Sequence, residues 1–331
     1  MGGAESQLRA VGHGGAMTAR VPAGSEFAVI DRLRHRLPSP PPGEVWIGDD
    51  AAVVGVGGAT VLLATDLAVA GVHADLAVVS VADLGWRAVV AAVSDIAAVG
   101  GRPRHLLVAV AAPAETDLDE LHEGVAAAAA ACGCHVVGGD LSNGPGPVVA
   151  VSVVGVVEDG PGPVLRGGAE AGDHLFVTGP LGAAAAGLRT LRAAAGGAVG
   201  GAAASPVVEA HRRPVARLAE GEAARRSGAR AMIDVSDGFG ADLGHLADAS
   251  GIGFHLDRVP VAPGATVDEA LGGGDDYELV FAAPDPDRVL AAFAAAGLRA
   301  PVAVGTCLAD TSKRDWGGRR LEATGYEHAW E

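Results

Sequence analysis

The chain has 331 residues, 49% hydrophobic and 19% charged, with 40 acidic against 24 basic side chains and a formal net charge of -16. That much apolar surface can offset the entropy of ordering the chain, which excludes extensive disorder, and the length favours two domains. So acidic a protein does not suit nucleic acid or an anionic membrane, and an anionic ligand has to bring its own cations.

Lys313 is the sole lysine, so the other basic residues are arginine. P-loop, kinase-strand and Schiff-base lysines are thereby absent from the body of the chain, and phosphate chemistry must use metal, arginine or backbone N–H groups. Cys132, Cys134 and Cys307 are too few for a disulfide framework and lack zinc-site spacing, which fits a cytoplasmic protein. No twenty-residue apolar run suggests a membrane span. Residues 1–25 lack an apolar signal core and read as a flexible extension, with Met17 an alternative start.

From Glu26, EFAVIDRLRHRL has helical spacing and stops at the proline-rich run 38–43. WIGDDAAVVGV and TVLLATDLAV read as strands. VADLGWRAVVAAVSDIAAVGG reads as a buried-face helix carrying Trp86, Val90, Val93 and Ala97 on one stripe, with Asp83 as cap and Gly100 and Gly101 as stop. HLLVAVAAP, HVVGGD and VVAVSVVGVVE follow as strands, with the helix DLDELHEGVAAAAAACG after the first. The Gly/Pro-rich stretch 159–163 is the domain boundary, giving 26–158 and 164–331.

The second half opens with a strand, a glycine turn and a helix in HLFVTGPLGAAAAGL. Gly179, Gly182 and Gly187 lack dinucleotide-fingerprint spacing, so a tight turn with close helix packing is the expected use. The Ala/Gly tract 193–204 reads as a helix end plus flexible loop. ARAMIDVSDGFGADLGHLADASG gives a strand, a turn and a capped helix, and GGGDDYELVFAAP a glycine turn into a strand.

Short apolar runs repeatedly end in aspartates, at Asp49-Asp50, Asp66, Asp140 and Asp234-Val-Ser-Asp237. In open α/β architectures ligands bind beyond the carboxyl ends of strands, so these acids could converge, with Asp95 joining from its helix. Clustered carboxylates repel unless cations lie between them, and hard oxygen ligands select magnesium over zinc or copper. Together with exposed glycine turns and almost no lysine, this points to a metal–nucleotide enzyme outside the P-loop and protein-kinase designs.

The ordered motifs EFAVIDRL, IGDDAAVV, ATDLAVAGVHADL, DLGWRAVVAAVSDIAAVGGRP, VVGGDLS, LRGGAEAGDHLFVTG, AHRRP, MIDVSDGFGADLGHLA, GGGDDYEL and TGYEHAW resemble thiamine-monophosphate kinase. That family lies within the group that includes aminoimidazole ribonucleotide synthetase and selenophosphate synthetase. The resemblance runs from about residue 26 to the end. It implies an α/β (α+β) fold of two domains, the N-terminal one pairing strands across a homodimer and the C-terminal one an AIR-synthetase-like α/β domain. The implied reaction is ATP-dependent phosphorylation of thiamine monophosphate to thiamine diphosphate.

By position, the resemblance implies magnesium ligands at Asp50, Thr65, Asp66, Asp95, Asp140, Asp234 and Asp237. It implies ATP contacts at Gly139, Asp140, Arg166 and Ser236, and thiamine monophosphate contacts at His73, Asp275 and Tyr326; no general base is assigned. The chain departs from the family pattern at Ala64, where Ser is usual, and at Asp275, where Glu is usual. The usual C-terminal Asp-His-Phe appears as Glu327-His328-Ala329, with Trp330 as a candidate for the lost ring. The alternatives are another ATP-dependent enzyme of the same superfamily or a non-catalytic metal–nucleotide binding protein.

Overall fold

A computed structural model describes residues 26–158, 160–196, 205–321 and 324–327. The N-terminal extension expected over 1–25, the Ala/Gly stretch 197–204 and the C-terminal residues His328 and Trp330 lie outside the described residues.

After helix α1 (Glu26–Arg34) the chain builds a five-stranded sheet from β1 (Ala52–Val56), β2 (Ala59–Val69), β3 (Arg102–Ala112), β4 (His135–Asn143) and β5 (Val148–Val156). The spatial order is β1-β2-β5-β3-β4, with β3 and β4 parallel and every other pair antiparallel. Val149, Val151 and Val153 of β5 alternate inward onto helices α2 (Val81–Ala98) and α3 (Leu118–Ala131), which follows from the period of two in VVAVSVVGV. The two helices cross so closely that a Cβ on Gly85 would lie 2.3 Å from the Leu121 carbonyl oxygen, and one on Gly124 1.9 Å from that of Ala82.

Helix α2 is capped by Ser80, not by Asp83. Ser80 Oγ accepts the Asp83 N–H and the Asp83 carboxylate returns to the Ser80 N–H, a capping box that uses both.

The second sheet comprises β6 (His174–Val177), β7 (Ala231–Asp234), β8 (Gly253–Leu256), β9 (Leu279–Ala283), β10 (Val302–Leu308), β11 (Arg314–Trp316) and β12 (Arg319–Arg320), in the order β12-β11-β8-β10-β6-β9-β7. Helices α4 (Ala183–Ala195), α5 (Pro206–Arg212), α6 (Leu218–Ser227) and α7 (Phe239–Ser250) belong to this half. Helix α2 serves both sheets: its C-terminal Ala97 and Ala98 pack with Phe176, Met232, Phe281 and Ala223. Burying both sides of one helix is why its sequence stays apolar almost all round. No helix among the described residues is long and apolar enough to cross a membrane.

The aspartates do not all close strands. Trp46–Ala51 makes only isolated bridges, so Asp49 and Asp50 precede β1. Strand β2 runs on through Asp66, because Leu67-Ala68-Val69 continue the pairing with β5, and Asp140 lies within β4. Only Asp234 ends its strand. Convergence therefore comes from packing α2 between the two sheets and not from a shared row of strand ends.

Candidate active site

Asp50 from the loop before β1, Asp95 from α2 and Asp234 from the end of β7 each bring one carboxylate oxygen within 4.8 Å of the other two. Burial foremost, then repulsion from neighbouring carboxylates, raises Asp234 to about 7 and Asp95 well above the usual range, while burial alone raises Asp50 against the opposing Arg166 charge. Asp66 adds its charge, raising both Asp95 and Asp234. It reaches them because its β2 position pairs with the fully buried Val151, which places it on the α2-covered face of the sheet.

Two neighbours hold the cluster in place. Ser94 donates a 2.5 Å hydrogen bond to Asp234 Oδ2. The Arg166 guanidinium pairs with Asp50 Oδ1, and its backbone N–H donates 3.0 Å to Asp49 Oδ2. Asp49 itself is pushed up to about 7 by burial and by Asp50. Asp50 Oδ2 and Arg166 Nε are buried with no hydrogen-bond partner among the described residues, an expensive arrangement for charged groups unless a ligand completes it. Carboxylates so placed can share protons or take hard cations between them.

Beyond β7 the chain turns at Ser236-Asp237-Gly238. Asp242 of α7 reaches back to accept the N–H groups of Asp237 (3.2 Å) and Gly238 (3.0 Å), so this helix start is closed from inside rather than by a preceding cap residue. Tyr326 docks on the same turn through its N–H to the Asp237 carbonyl, 3.0 Å. The Ser236 carbonyl accepts the Asp275 N–H at 2.8 Å. Asp275 and Tyr277 both have positive φ, +59° and +50°, strained for side chains of this size. Asp276 pins that loop by accepting the Gly182 and Ala184 N–H groups at the start of α4, at 2.5 and 3.2 Å.

His73, in the loop after β2, is joined to Asp275 by a residue that sequence reading did not single out. Arg87 Nη2 donates both to the His73 carbonyl (3.0 Å) and to Asp275 Oδ2 (2.8 Å). Its signal in the sequence was its isolation: it is the only basic residue in the 18-residue α2. Nearby His211 is held neutral at about 4, by burial and then by the Arg87 charge.

Thr65, Gly139 and Asp140 stand apart from the acid cluster. Thr65 alternates onto the opposite sheet face, where its hydroxyl meets Ser152 Oγ at 3.0 Å and the Val151 carbonyl at 3.3 Å. Gly139 and Asp140 lie on exposed edge strand β4, three strand spacings or about 14 Å from β2. The loosely fingerprint-like Gly182 and Gly187 serve packing: a Cβ at Gly187 would lie 2.0 Å from the Val207 carbonyl oxygen of α5.

Residues 48–157 match the family described as AIR synthase related protein, N-terminal domain, and residues 170–315 match the corresponding C-terminal domain. The thiamine-monophosphate kinase of Mycobacterium tuberculosis is 38% identical over 282 residues, covering 79% of this chain and 82% of that protein. The chain belongs to the thiamine-monophosphate kinase family. A second member of that family, from Bacillus subtilis, is 31% identical across 92% of this chain and 99% of its own. The solved structure of AaThiL complexed with AMPPCP and TMP matches with a TM-score of 0.79 at 29% identity, over 95% of this chain and 100% of that one. The hydrogenase maturation protein HypE, at 19% identity and a TM-score of 0.62 over 85% of this chain and 91% of that one, shares the fold alone. The expected two-domain AIR-synthetase-like architecture of a thiamine-monophosphate kinase is therefore the one the chain adopts.

Proposed function

We propose that the chain transfers the γ-phosphoryl group of ATP to thiamine monophosphate, giving thiamine diphosphate and ADP. The observation that carries the reading is the meeting of Asp50, Asp95 and Asp234 within 4.8 Å in a family member whose relatives are thiamine-monophosphate kinases. A phosphate oxygen of the acceptor attacks the γ-phosphorus in line, and the bond to the β,γ-bridging oxygen breaks. With a second pKa of about 6, that phosphate is already ionised at neutral pH, so the absence of an assigned general base is no obstacle.

The donor set fits magnesium: hard carboxylate oxygens, too close to remain jointly charged without a cation, one of them buried and unpartnered at Asp50 Oδ2. Asp50, Asp66, Asp95 and Asp234 would hold such ions, with Asp237 at the adjoining turn. Bound magnesium would neutralise phosphate chains that otherwise repel. Arg166, with Nε unspent, and Ser236 orient the nucleotide. His73, Asp275 and Tyr326 face the acceptor, where an acidic side chain suits a cationic thiazolium.

The reading includes a homodimer and a cytoplasmic setting, with domains over 26–158 and 164–331. Strand β4 is exposed along its whole length, with Val137 and Leu141 about 60% exposed, and Leu63, Leu67 and Leu107 project from the outer sheet face. A second copy would cover this edge and face. Thr65, Gly139 and Asp140 lie on or beside that surface, so their proposed roles in metal and ATP binding would involve the assembled dimer. The deciding experiment is ADP release with and without thiamine monophosphate, across a small panel of phosphorylated acceptors. Release that is independent of acceptor, or that prefers another one, overturns the assignment.

A further inference from the structure

Arg87 is 4% exposed, yet its guanidinium ties three separate segments together. Nη1 donates 2.5 Å to the His211 carbonyl at the end of α5, while Nη2 serves the His73 carbonyl and the Asp275 carboxylate. The other Asp275 oxygen, Oδ1, accepts the Tyr277 hydroxyl at 3.3 Å. The segment around His211 is itself clamped to α2: Trp86 Nε1 donates 2.8 Å to the Pro214 carbonyl, Arg213 stacks over the Trp86 ring and bonds Asp83 at 3.2 Å. Arg87 is thus built into a rigid frame from which it reaches two loops.

The two ends of this pair differ in exposure. The Asp275 side chain is 37% exposed, whereas Arg87 is sealed beneath it. Asp275 can therefore meet a ligand while Arg87 cannot. Asp275 also occupies a left-handed backbone conformation that an L side chain rarely adopts, and the Arg87 bond fixes where its short carboxylate points. Lysine could not substitute fully, because one ammonium lacks the planar fork that serves three acceptors in fixed directions.

We propose that Arg87 is the positioning residue of the acceptor pocket, setting the His73 loop and the Asp275 carboxylate relative to each other and thereby the affinity for a cationic phosphorylated acceptor. This rests on the assignment of His73 and Asp275 to the acceptor side. Arg87 touches neither substrate nor the acid cluster, so its effect should appear in acceptor binding and not in nucleotide binding.

The test is steady-state kinetics of the full chain with ATP and thiamine monophosphate varied separately, for wild type, Arg87→Lys, Arg87→Gln, Asp275→Asn and the double variant Arg87→Gln/Asp275→Asn, alongside thermal unfolding. Arg87→Lys should fold, raise KM for thiamine monophosphate about 5-fold and leave KM for ATP within about twofold. Arg87→Gln should raise it about 10-fold or more, and adding Asp275→Asn should cost little further, because the pair acts as one unit. If Arg87→Gln does not fold, Arg87→Lys decides. Equal changes in both KM values, a fall in kcat alone, or full additivity in the double variant overturns the inference while leaving the phosphotransfer assignment standing. A wild-type chain inert toward thiamine monophosphate overturns that assignment and the inference with it.

Discussion

Ser94 Oγ donates to Asp234 Oδ2 across 140 residues of sequence, joining the helix of the first sheet to the last residue of β7 in the second. Both groups are buried, so the bond is made out of water and fixes the orientation of the Asp234 carboxylate beside Asp50 and Asp95. Ser94→Ala should leave the fold intact and weaken activation by magnesium about 10-fold, since second-layer hydrogen bonds orient ligating groups. A magnesium titration of activity that superimposes on wild type would show that Ser94 only fills space.

Asp50→Asn, Asp95→Asn and Asp237→Asn should each lower kcat by about 100-fold or more, the scale of losing a charge that stabilises a transition state. The apo forms of Asp95→Asn and Asp237→Asn should unfold at equal or higher temperature than wild type, whereas Asp50→Asn strips Arg166 of its carboxylate partner and should lower it. Burial and repulsion already burden Asp95 in the folded chain, and Asp237 raises Asp242, so neutral amides at these two positions relieve that strain. Near wild-type turnover in all three would discard the multi-carboxylate centre.

Magnesium should stabilise the protein more at pH 8 than at pH 6. Asp49 and Asp234 stand at about 7 in the folded chain against an ordinary 3.8, so the folded state holds their protons longer, and the stability this contributes is lost as pH rises from about 4 through 7. His211 and His245 act oppositely: burial lowers both to about 4 from 6.5, so stability is lost as pH falls from 6.5 through 4. The opposing slopes partly cancel without metal, which makes the increment in Tm on adding magnesium the informative quantity. Binding needs ionised carboxylates and grows as protons leave. An increment that is the same at both pH values would rule out the buried acids as the binding groups.

Asp275→Glu restores the usual acid of the family and should keep activity. Asp275→Ala and Tyr326→Ala should raise KM for thiamine monophosphate several-fold with KM for ATP nearly unchanged. A tyrosine face against a cation contributes about 0.5–2 kcal/mol, and Tyr326 is exposed beside the Asp237 turn. Losses shared equally between the two substrates would remove both residues from the acceptor pocket.

Val137→Asp with Leu141→Glu should convert a dimer to a monomer in light scattering at micromolar concentration. Both residues lie on edge strand β4, more than half exposed, where a charge adds nothing to the chain's own core but opposes a strand docking alongside. A wild-type chain that is already monomeric would refute the dimer.

The sequence made the regular elements legible where one face is buried: the alternation in Val148–Val156 and the helical stripe after Ser80 both appear where their periods place them. It also exposed Asp50, Asp95 and Asp234, because an acid next to an apolar run is chemically conspicuous. What it concealed was depth. Asp66 groups with acids that close apolar runs, yet the strand read over TVLLATDLAV already runs past it, as β2 does through Leu67-Ala68-Val69. Thr65 and Asp66 are adjacent in sequence yet point to opposite faces, a separation fixed by the pleat and invisible in the motif. Arg87 was passed over because a lone cation in an apolar helix gains meaning only once its three partners, lying 14, 124 and 188 residues away, are assembled around it.

Helix α2 carries Arg87 and Asp95 eight residues apart, which is about 12 Å along its axis and about 80° around it. It therefore acts as a caliper between the loop that would receive the acceptor and the carboxylates that would receive the phosphate chains. A helix hydrogen-bonded throughout does not stretch, so the span between these two points is a fixed length. One residue inserted between Arg87 and Asp95 would swing the carboxylate by about 100° and leave the measured length without its far jaw.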